Sequence, residues 1–218
     1  MLINYLMNIF YHSSLIFQIV TGILPILFVI FLKRKLPVEF VILLSASVIT
    51  TLILYITAML GIKNLVFWNL YASIEVICMA IFYYYLLDSQ KAKITVIVIA
   101  SICVSSIIWE LSYFELVNKT LPIIMLGNLL YTILFFIENL GKKANPNLNA
   151  YLLINSVLCI YNSFTFFMSF EVDILLLNNF WNYHNFIEGT SKLVITYAIL
   201  KLPKRSGDLR MESLGVNP

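Results

Sequence analysis

Two apolar stretches of the chain each carry ionisable side chains spaced four residues apart. In the last stretch, His184, Glu188 and Lys192 follow one another at intervals of four residues, which places them on one face of an α-helix. An earlier stretch carries Tyr71 and Glu75, again four residues apart. A charge at the centre of a membrane helix costs about 2.5–3.5 kcal/mol on insertion scales, so it normally faces the protein interior and has a partner. We therefore predict that Glu75, Glu188 and Lys192 face a common interior.

Two carboxylates beside one ammonium indicate a site for a polar ligand or for a proton. Because desolvation disfavours a charged carboxylate, we expect one of the two to carry a proton. A purely structural ion cluster is the alternative interpretation. The sixth predicted helix also carries one stripe of polar residues, which could be helix contacts or part of the site, whereas Tyr161 is expected on another face of that helix. The predicted ligand-binding or proton-coupling residues are Tyr71, Glu75, Asn162, His184, Asn185, Glu188 and Lys192.

The composition is that of a membrane protein. The chain has 218 residues, of which 61% are hydrophobic and only 11% charged, whereas soluble domains have about 25% charged residues. The three cysteines, Cys78, Cys103 and Cys159, fall inside apolar stretches, which is typical neither of a disulfide framework nor of a zinc site. No basic block interleaved with aromatic residues indicates nucleic acid. The predicted partner of the chain is the lipid bilayer, and its oligomeric state is left open.

We predict an all-α membrane protein with seven transmembrane helices. Each candidate stretch has roughly the 20 apolar residues that cross about 30 Å of hydrocarbon. The predicted helices cover residues 14–32, 40–60, 65–87, 94–113, 121–140, 150–170 and 178–202. Residues 1–203 form one transmembrane domain, and 204–218 are predicted to be a short cytoplasmic tail.

The distribution of Lys and Arg predicts the orientation. Eleven of these residues fall on the side of the membrane that carries the C-terminus, and two fall on the other side. The positive-inside rule then predicts an outside N-terminus and a cytoplasmic C-terminus. Trp68, Trp109 and Trp181 all fall near the outer interface, as amphipathic rings do, and residues 83–85 (three tyrosines) fall near the inner one. The Ile, Asn, Lys, Phe and Tyr bias is typical of an AT-rich bacterium, so we predict the inner membrane of a bacterium.

A partial internal repeat relates the third helix to the seventh. Aligning Phe67 with Phe180 matches the next two residues, and it also matches Ile74 and Glu75 with Ile187 and Glu188. The loops after helices 1 and 5 both contain a basic pair followed by a proline at equal spacing. We therefore predict a 3+1+3 plan of parallel repeats, with helix 4 as the linker, although chance matching in a biased composition is the alternative. The repeat departs from symmetry at Lys192, which aligns with Met79, and at His184, which aligns with Tyr71.

The predicted helix plan and two short motifs resemble those of known seven-helix membrane proteins. The 3+1+3 plan is similar to that of SWEET-type sugar-efflux transporters and of rhodopsin-like proteins, which share this orientation. The resemblance covers architecture only, since the proline–glutamine signature of the transporters is absent. Asn69-x-Tyr71-x-x-x-Glu75 and Trp181-x-x-His184-Asn185 resemble small bacterial seven-helix proteins to which we attach no activity.

Three kinds of chemistry have little support in the sequence. Lys192 with Glu75 resembles the rhodopsin plan of a retinal Schiff base and counterion, but the pocket tryptophans and the arginine-rich third helix of that family are missing. His184 and Glu188 have the spacing of metal ligands, yet His12 is the only other histidine and lies far away along the chain. No nucleophile elbow or Walker loop occurs. We therefore predict no catalytic residue, no metal and no cofactor.

Two functions remain open. The first is a carrier for a small polar solute, with a midplane site between helices 3 and 7 that opens outward and is coupled to protons through Glu75 or Glu188. The second is a receptor-like sensor that binds a ligand outside and acts through a partner protein. The polar residues expected towards the outside, His184, Asn185, Tyr71 and Glu110, motivate this alternative.

Overall fold

A computed structural model describes residues 2–34, 36–60, 65–112, 120–143, 145–169 and 180–203. Within these ranges the chain forms seven α-helices and no β-strand. The helices are α1 (Leu2–Phe31), α2 (Val38–Met59), α3 (Leu65–Leu86), α4 (Gln90–Ser112), α5 (Leu121–Asn139), α6 (Pro146–Met168) and α7 (Phe180–Lys201). The helical fold class is therefore as the apolar stretches predict, while the predicted tail lies outside the described residues.

Most helix ends lie within two residues of the predicted ones, and three starts differ. The first helix begins at Leu2 rather than near residue 14, because a helix that has formed extends through further residues at little cost. The helices α4 and α6 each begin four residues earlier than predicted. At the start of α6, the side chain of Asn145 accepts a hydrogen bond from the backbone N–H of Leu148 at 2.8 Å, and Pro146 occupies the first turn. The apolar pattern missed this polar first turn.

Helices α1, α2, α3, α5, α6 and α7 form a closed ring in that order, because each packs against the next and α7 packs against α1. The remaining helix, α4, packs outside the ring against α3 and α5. Across the ring, α3 and α7 face each other with little direct backbone contact between their described residues. Residues that point inwards from these two helices therefore meet in the centre of the bundle.

An apolar cluster fills the end of the bundle where most basic residues lie. Its fully buried members include Phe40, Phe82 and Leu202. At the same end, Arg34 donates to the backbone carbonyl of Leu202 at 2.5 Å, which satisfies an acceptor at the C-terminus of α7. Tyr83 also belongs to this cluster and is buried, whereas Tyr85, two residues later, is 66% exposed.

The surface of the bundle is apolar on all sides. The exposed fraction is 75% for Phe31, 73% for Ile137 and 71% for Phe167. A soluble monomer rarely exposes so many large apolar side chains. Within the described residues, five helices contain an apolar stretch long enough to cross a membrane, namely α1, α2, α4, α5 and α6, and α3 contributes a shorter one at Leu70–Leu86. This surface fits a multi-pass membrane protein.

Candidate functional site

The helix α7 contributes a buried ion pair at the centre of the ring. The ammonium of Lys192 lies 2.5 Å from Glu188 Oε1. Gln18 on α1 donates to Glu188 Oε2 at 2.5 Å, and Ser47 on α2 donates to Oε1 at 3.1 Å. Three helices thus supply the partners of one carboxylate. The Glu188 charge is compensated by a cation and by two hydrogen bonds, as a buried charge requires.

Two glycines make room for this arrangement. A Cβ atom at Gly22 would lie 2.7 Å from Val48 Cγ2 and 3.4 Å from Lys192 Nζ, so the lysine side chain crosses α1 where α1 has no side chain. On α7 itself, a Cβ atom at Gly189 would lie 2.6 Å from the ring of Phe17. These close approaches bring α1 and α7 together, and they place Gln18 within reach of Glu188.

The second carboxylate, Glu75 on α3, has a different environment. Asn128 on α5 donates to Glu75 Oε1 at 2.7 Å. Glu75 is only 7% exposed, and within the described part of the chain no Lys, Arg or His forms an ion pair with it. The two carboxylates therefore differ, since one is paired with a cation and the other is held by an amide alone.

Both carboxylates line one small cavity between α2, α3, α6 and α7. Its volume is about 60 Å³, which is room for roughly two to four water molecules. Five of the seven predicted site residues line it, namely Tyr71, Glu75, Asn162, Glu188 and Lys192. Ser47 and Ser191 add hydroxyl groups, and the apolar residues Phe40, Leu43, Leu44, Met79, Leu158 and Ile195 are also part of the wall. Tyr161 lines the cavity too, so the prediction that it points elsewhere is wrong.

The other two predicted residues lie beside the cavity. His184 Nδ1 is 3.9 Å from Glu188 Oε2, and His184 Nε2 is 3.5 Å from the Tyr161 hydroxyl. Asn185 donates to Ser14 on α1 at 3.2 Å. These contacts form a polar layer between α1, α6 and α7 that adjoins the Glu188 pair. Whether any of the seven residues binds a ligand stays a prediction.

Two groups at the cavity have unused hydrogen-bonding capacity. Within the described residues, Asn162 Nδ2 has no hydrogen-bond partner although Asn162 is only 1% exposed. The ammonium of Lys192 makes its ion pair with Glu188 and no further hydrogen bond there. Buried polar atoms normally have partners in the protein or in ordered water. The cavity is therefore suited to a polar occupant that contacts Asn162 and Lys192.

Glu110, which motivated the sensor alternative, has a structural role at the start of α5. Its carboxylate accepts a hydrogen bond from the backbone N–H of Thr120 at 3.2 Å and a second from the Thr120 hydroxyl. A negative charge at a helix N-terminus is stabilised by the unpaired N–H groups and the helix dipole there. The side chain is buried at 8% exposure, so it faces the protein.

Sequence reasoning missed Gln18. A single amide in the apolar run of α1 gives little signal by itself, because isolated polar residues are common at helix–helix contacts in membranes. Gln18 lies on the same helix face as Gly22 and Pro25, which follow four and seven residues later. Only this pattern of three residues distinguishes Gln18 from an isolated polar residue. Within the described residues, no group of three or more His, Cys, Asp or Glu side chains is placed to bind a metal ion.

Comparison with known proteins gives no family for this chain. No protein-family model matches it, and neither the curated proteins nor the solved structures include a match.

Proposed function

We propose that this chain is a carrier for a small polar solute, coupled to protons through Glu75. The observation that carries the proposal is that the two buried carboxylates have different partners. Glu188 has the Lys192 ammonium as its partner, whereas Glu75 faces the same cavity and, within the described residues, is hydrogen-bonded to an amide without a cation. A carboxylate without a cation is costly inside a membrane. Binding a positive charge therefore stabilises Glu75 inside the membrane, and Glu75 can release that charge again.

The size of the cavity supports a small solute. About 60 Å³ accommodates only a few non-hydrogen atoms, since one water in the liquid takes about 30 Å³. Its lining offers acidic, basic, amide and hydroxyl groups. This is the mixture of polar groups that fixes the orientation of a ligand in a binding pocket.

The order of the helices around the ring supports a division of the bundle into two halves with equivalent helix contacts. Exchanging α1 with α5, α2 with α6, and α3 with α7 leaves the ring of helix contacts unchanged. Two polar contacts at the basic end of the bundle are related by the same exchange of helices. Arg34, after α1, binds the end of α7, and Lys142, after α5, lies 2.6 Å from Asp88 at the end of α3. Parallel repeats of this kind are typical of some transporters, which bind the solute at the repeat interface near the midplane.

The orientation belongs to the same proposal. The ends of α1, α3, α5 and α7 that carry basic residues lie together, as the contacts of Arg34 and Lys142 require. The positive-inside rule makes this end cytoplasmic, in the inner membrane of a bacterium. Because the apolar cluster fills this end, the cavity is closed towards the cytoplasm, and transport requires these helices to separate. The sensor alternative gains no specific support, since Asn185 and Glu110 are engaged in contacts within the bundle.

Purified protein in liposomes tests the proposal. The liposomes contain a fluorescent pH indicator and receive inward gradients of glycine, urea, glycerol or an alkali chloride in turn. We expect at least one solute to move protons in protein-containing liposomes and not in empty ones. Glu75→Gln keeps the shape of the side chain and an oxygen that can accept from Asn128, and it should abolish the coupled proton movement.

Tyr85→Phe is the matched control, because Tyr85 lies on the surface at 66% exposure and away from the cavity. It should transport like the original protein. If neither a solute nor a proton moves under any of these gradients, the carrier proposal is wrong.

A further inference from the structure

The two carboxylates have equivalent amide partners in the two halves of the bundle. Gln18 of α1 donates to Glu188 of α7, and Asn128 of α5 donates to Glu75 of α3. The exchange of halves that preserves the ring of helices also exchanges these two pairs. In the alignment of the two loops that follow α1 and α5, Gln18 falls within one residue of Asn128. Each half therefore supplies one carboxylate, which is held by an amide of the other half.

In charge, the surroundings of the two carboxylates differ by one cation, while the Ser47 hydroxyl also donates to Glu188. In α7 the ammonium of Lys192 lies 2.5 Å from Glu188. The residue of α3 that aligns with Lys192 is Met79, which lines the same cavity and is 1% exposed. One half thus carries a positive charge tethered to the chain, and the other presents the same carboxylate–amide pair beside an apolar side chain.

We infer that the solute of the proposed carrier is a monovalent cation, bound at Glu75 as the lysine ammonium is bound at Glu188. The inference rests on the proposed function and names its solute. Small hard cations take oxygen ligands, and Glu75 Oε2, the Tyr71 hydroxyl and the Ser47 hydroxyl all belong to cavity-lining residues. The side-chain amide of Asn162 presents an unpartnered Nδ2 donor, so it has to make a half-turn to offer its oxygen to the cation.

The charge of the cavity favours a cation over an anion or a neutral solute. Its lining includes two carboxylates and one ammonium, which leave one net negative charge when all three are ionised. One monovalent cation neutralises this charge, and an anion would increase it. The volume of about 60 Å³ suits an inorganic cation with one or two waters.

A proton and a cation compete for the same carboxylate. When the cation binds, Glu75 gives up its proton to the water on that side, and when the cation leaves on the other side, Glu75 takes a proton from there. One cation is then exchanged for one proton, so no net charge moves.

The other groups around Glu75 in the described residues are Glu188 and Lys192 on α7, Tyr161 on α6, Ser47 on α2, Asn128 on α5, Cys103 on α4 and Tyr71 on its own helix.

The test uses liposomes with an imposed pH gradient and the chlorides of lithium, sodium and potassium, with choline chloride as the reference. We expect at least one alkali cation to dissipate the gradient in the presence of the protein, and choline to have no effect. Glu75→Gln should reduce the rate at least tenfold. Met79→Lys should do the same without removing any carboxylate, because it places a tethered ammonium beside Glu75 as Lys192 lies beside Glu188.

The control is Tyr85→Phe, which lies on the surface at 66% exposure and away from the cavity, and it should keep the exchange. Binding is measured separately in detergent, where 100 mM sodium, lithium or potassium chloride should raise the melting temperature of the original protein above its value in choline chloride. Glu75→Gln should remove this shift. Each variant is first checked for a monodisperse elution profile.

The outcomes separate this inference from the proposed function. Proton movement driven by glycine, urea or glycerol, with none driven by an alkali cation, would overturn the cation inference and leave the carrier. No movement of any solute or proton removes both. Unchanged exchange in Met79→Lys would also contradict the inference, because the tethered charge would then not occupy the cation position.

Discussion

Lys192 is paired with Glu188, four residues before it on the same helix, with 2.5 Å between Nζ and Oε1. The alternative partner in the cavity, Glu75 on α3, is bound by Asn128 instead. A pair within one helix moves as a unit when the helices separate. In the proposed carrier, Lys192 can therefore stay bound to Glu188 while the groups around Glu75 change.

Removing one member of the buried pair should destabilise the protein strongly. The side chains of Lys192 and Glu188 are only 6% and 12% exposed, and an uncompensated buried charge costs about 3–5 kcal/mol. We expect Lys192→Met and Glu188→Gln each to lower the free energy of unfolding in detergent by an amount of this order. The double variant should lose less than the sum of the two, since neither charge is then unpaired. Additive losses would show that the two side chains do not interact.

The close contact of α1 with α7 depends on Gly189. Adding a methyl group there brings it to 2.6 Å from the Phe17 ring, and overpacking of this kind typically costs about 1–3 kcal/mol. Gly189→Ala should therefore lower the melting temperature in detergent. Gly141→Ala is the same substitution at a site with no atom within 4 Å, and it should have little effect. Equal melting temperatures for the two variants would argue against the α1–α7 packing.

The buried hydroxyl of Tyr83 donates to Asn155 Oδ1 at 2.6 Å. Tyr83→Phe leaves this amide oxygen without its partner, and a lost buried hydrogen bond costs about 1–3 kcal/mol. Thermal unfolding in detergent should show the loss. The neighbouring Tyr85→Phe, on the exposed surface, serves as the reference and should be close to neutral. A neutral Tyr83→Phe would mean that the amide finds another donor.

The proposed orientation can be tested with single cysteines in a background without Cys78, Cys103 and Cys159. Gly141→Cys lies at the basic end after α5, and Leu60→Cys lies at the opposite end after α2. If the basic end is cytoplasmic, a maleimide that does not cross membranes should label Leu60→Cys in intact cells. It should label Gly141→Cys only after the cells are opened. The reverse pattern would invert the proposed topology.

The sequence by itself determined the helices and the residues that avoid lipid. Long apolar stretches form helices in a membrane because every backbone polar group must be paired within the segment, and this rule is local to each stretch. The cost of an intramembrane charge likewise marks Glu75, Glu188 and Lys192 as interior residues wherever the other helices lie. Five of the seven predicted site residues accordingly line one cavity.

Only the tertiary structure decided how these residues are partnered. Gln18 and Asn128 reach the two carboxylates because the helices close into one ring, and the position of a neighbouring helix is not encoded in the periodicity of any single one. Tyr161 lines the cavity against expectation for the same reason. The size of the cavity depends on the packing of four helices at once. That packing gave each carboxylate its amide partner, whereas the pairing of Glu188 with Lys192 is local to α7.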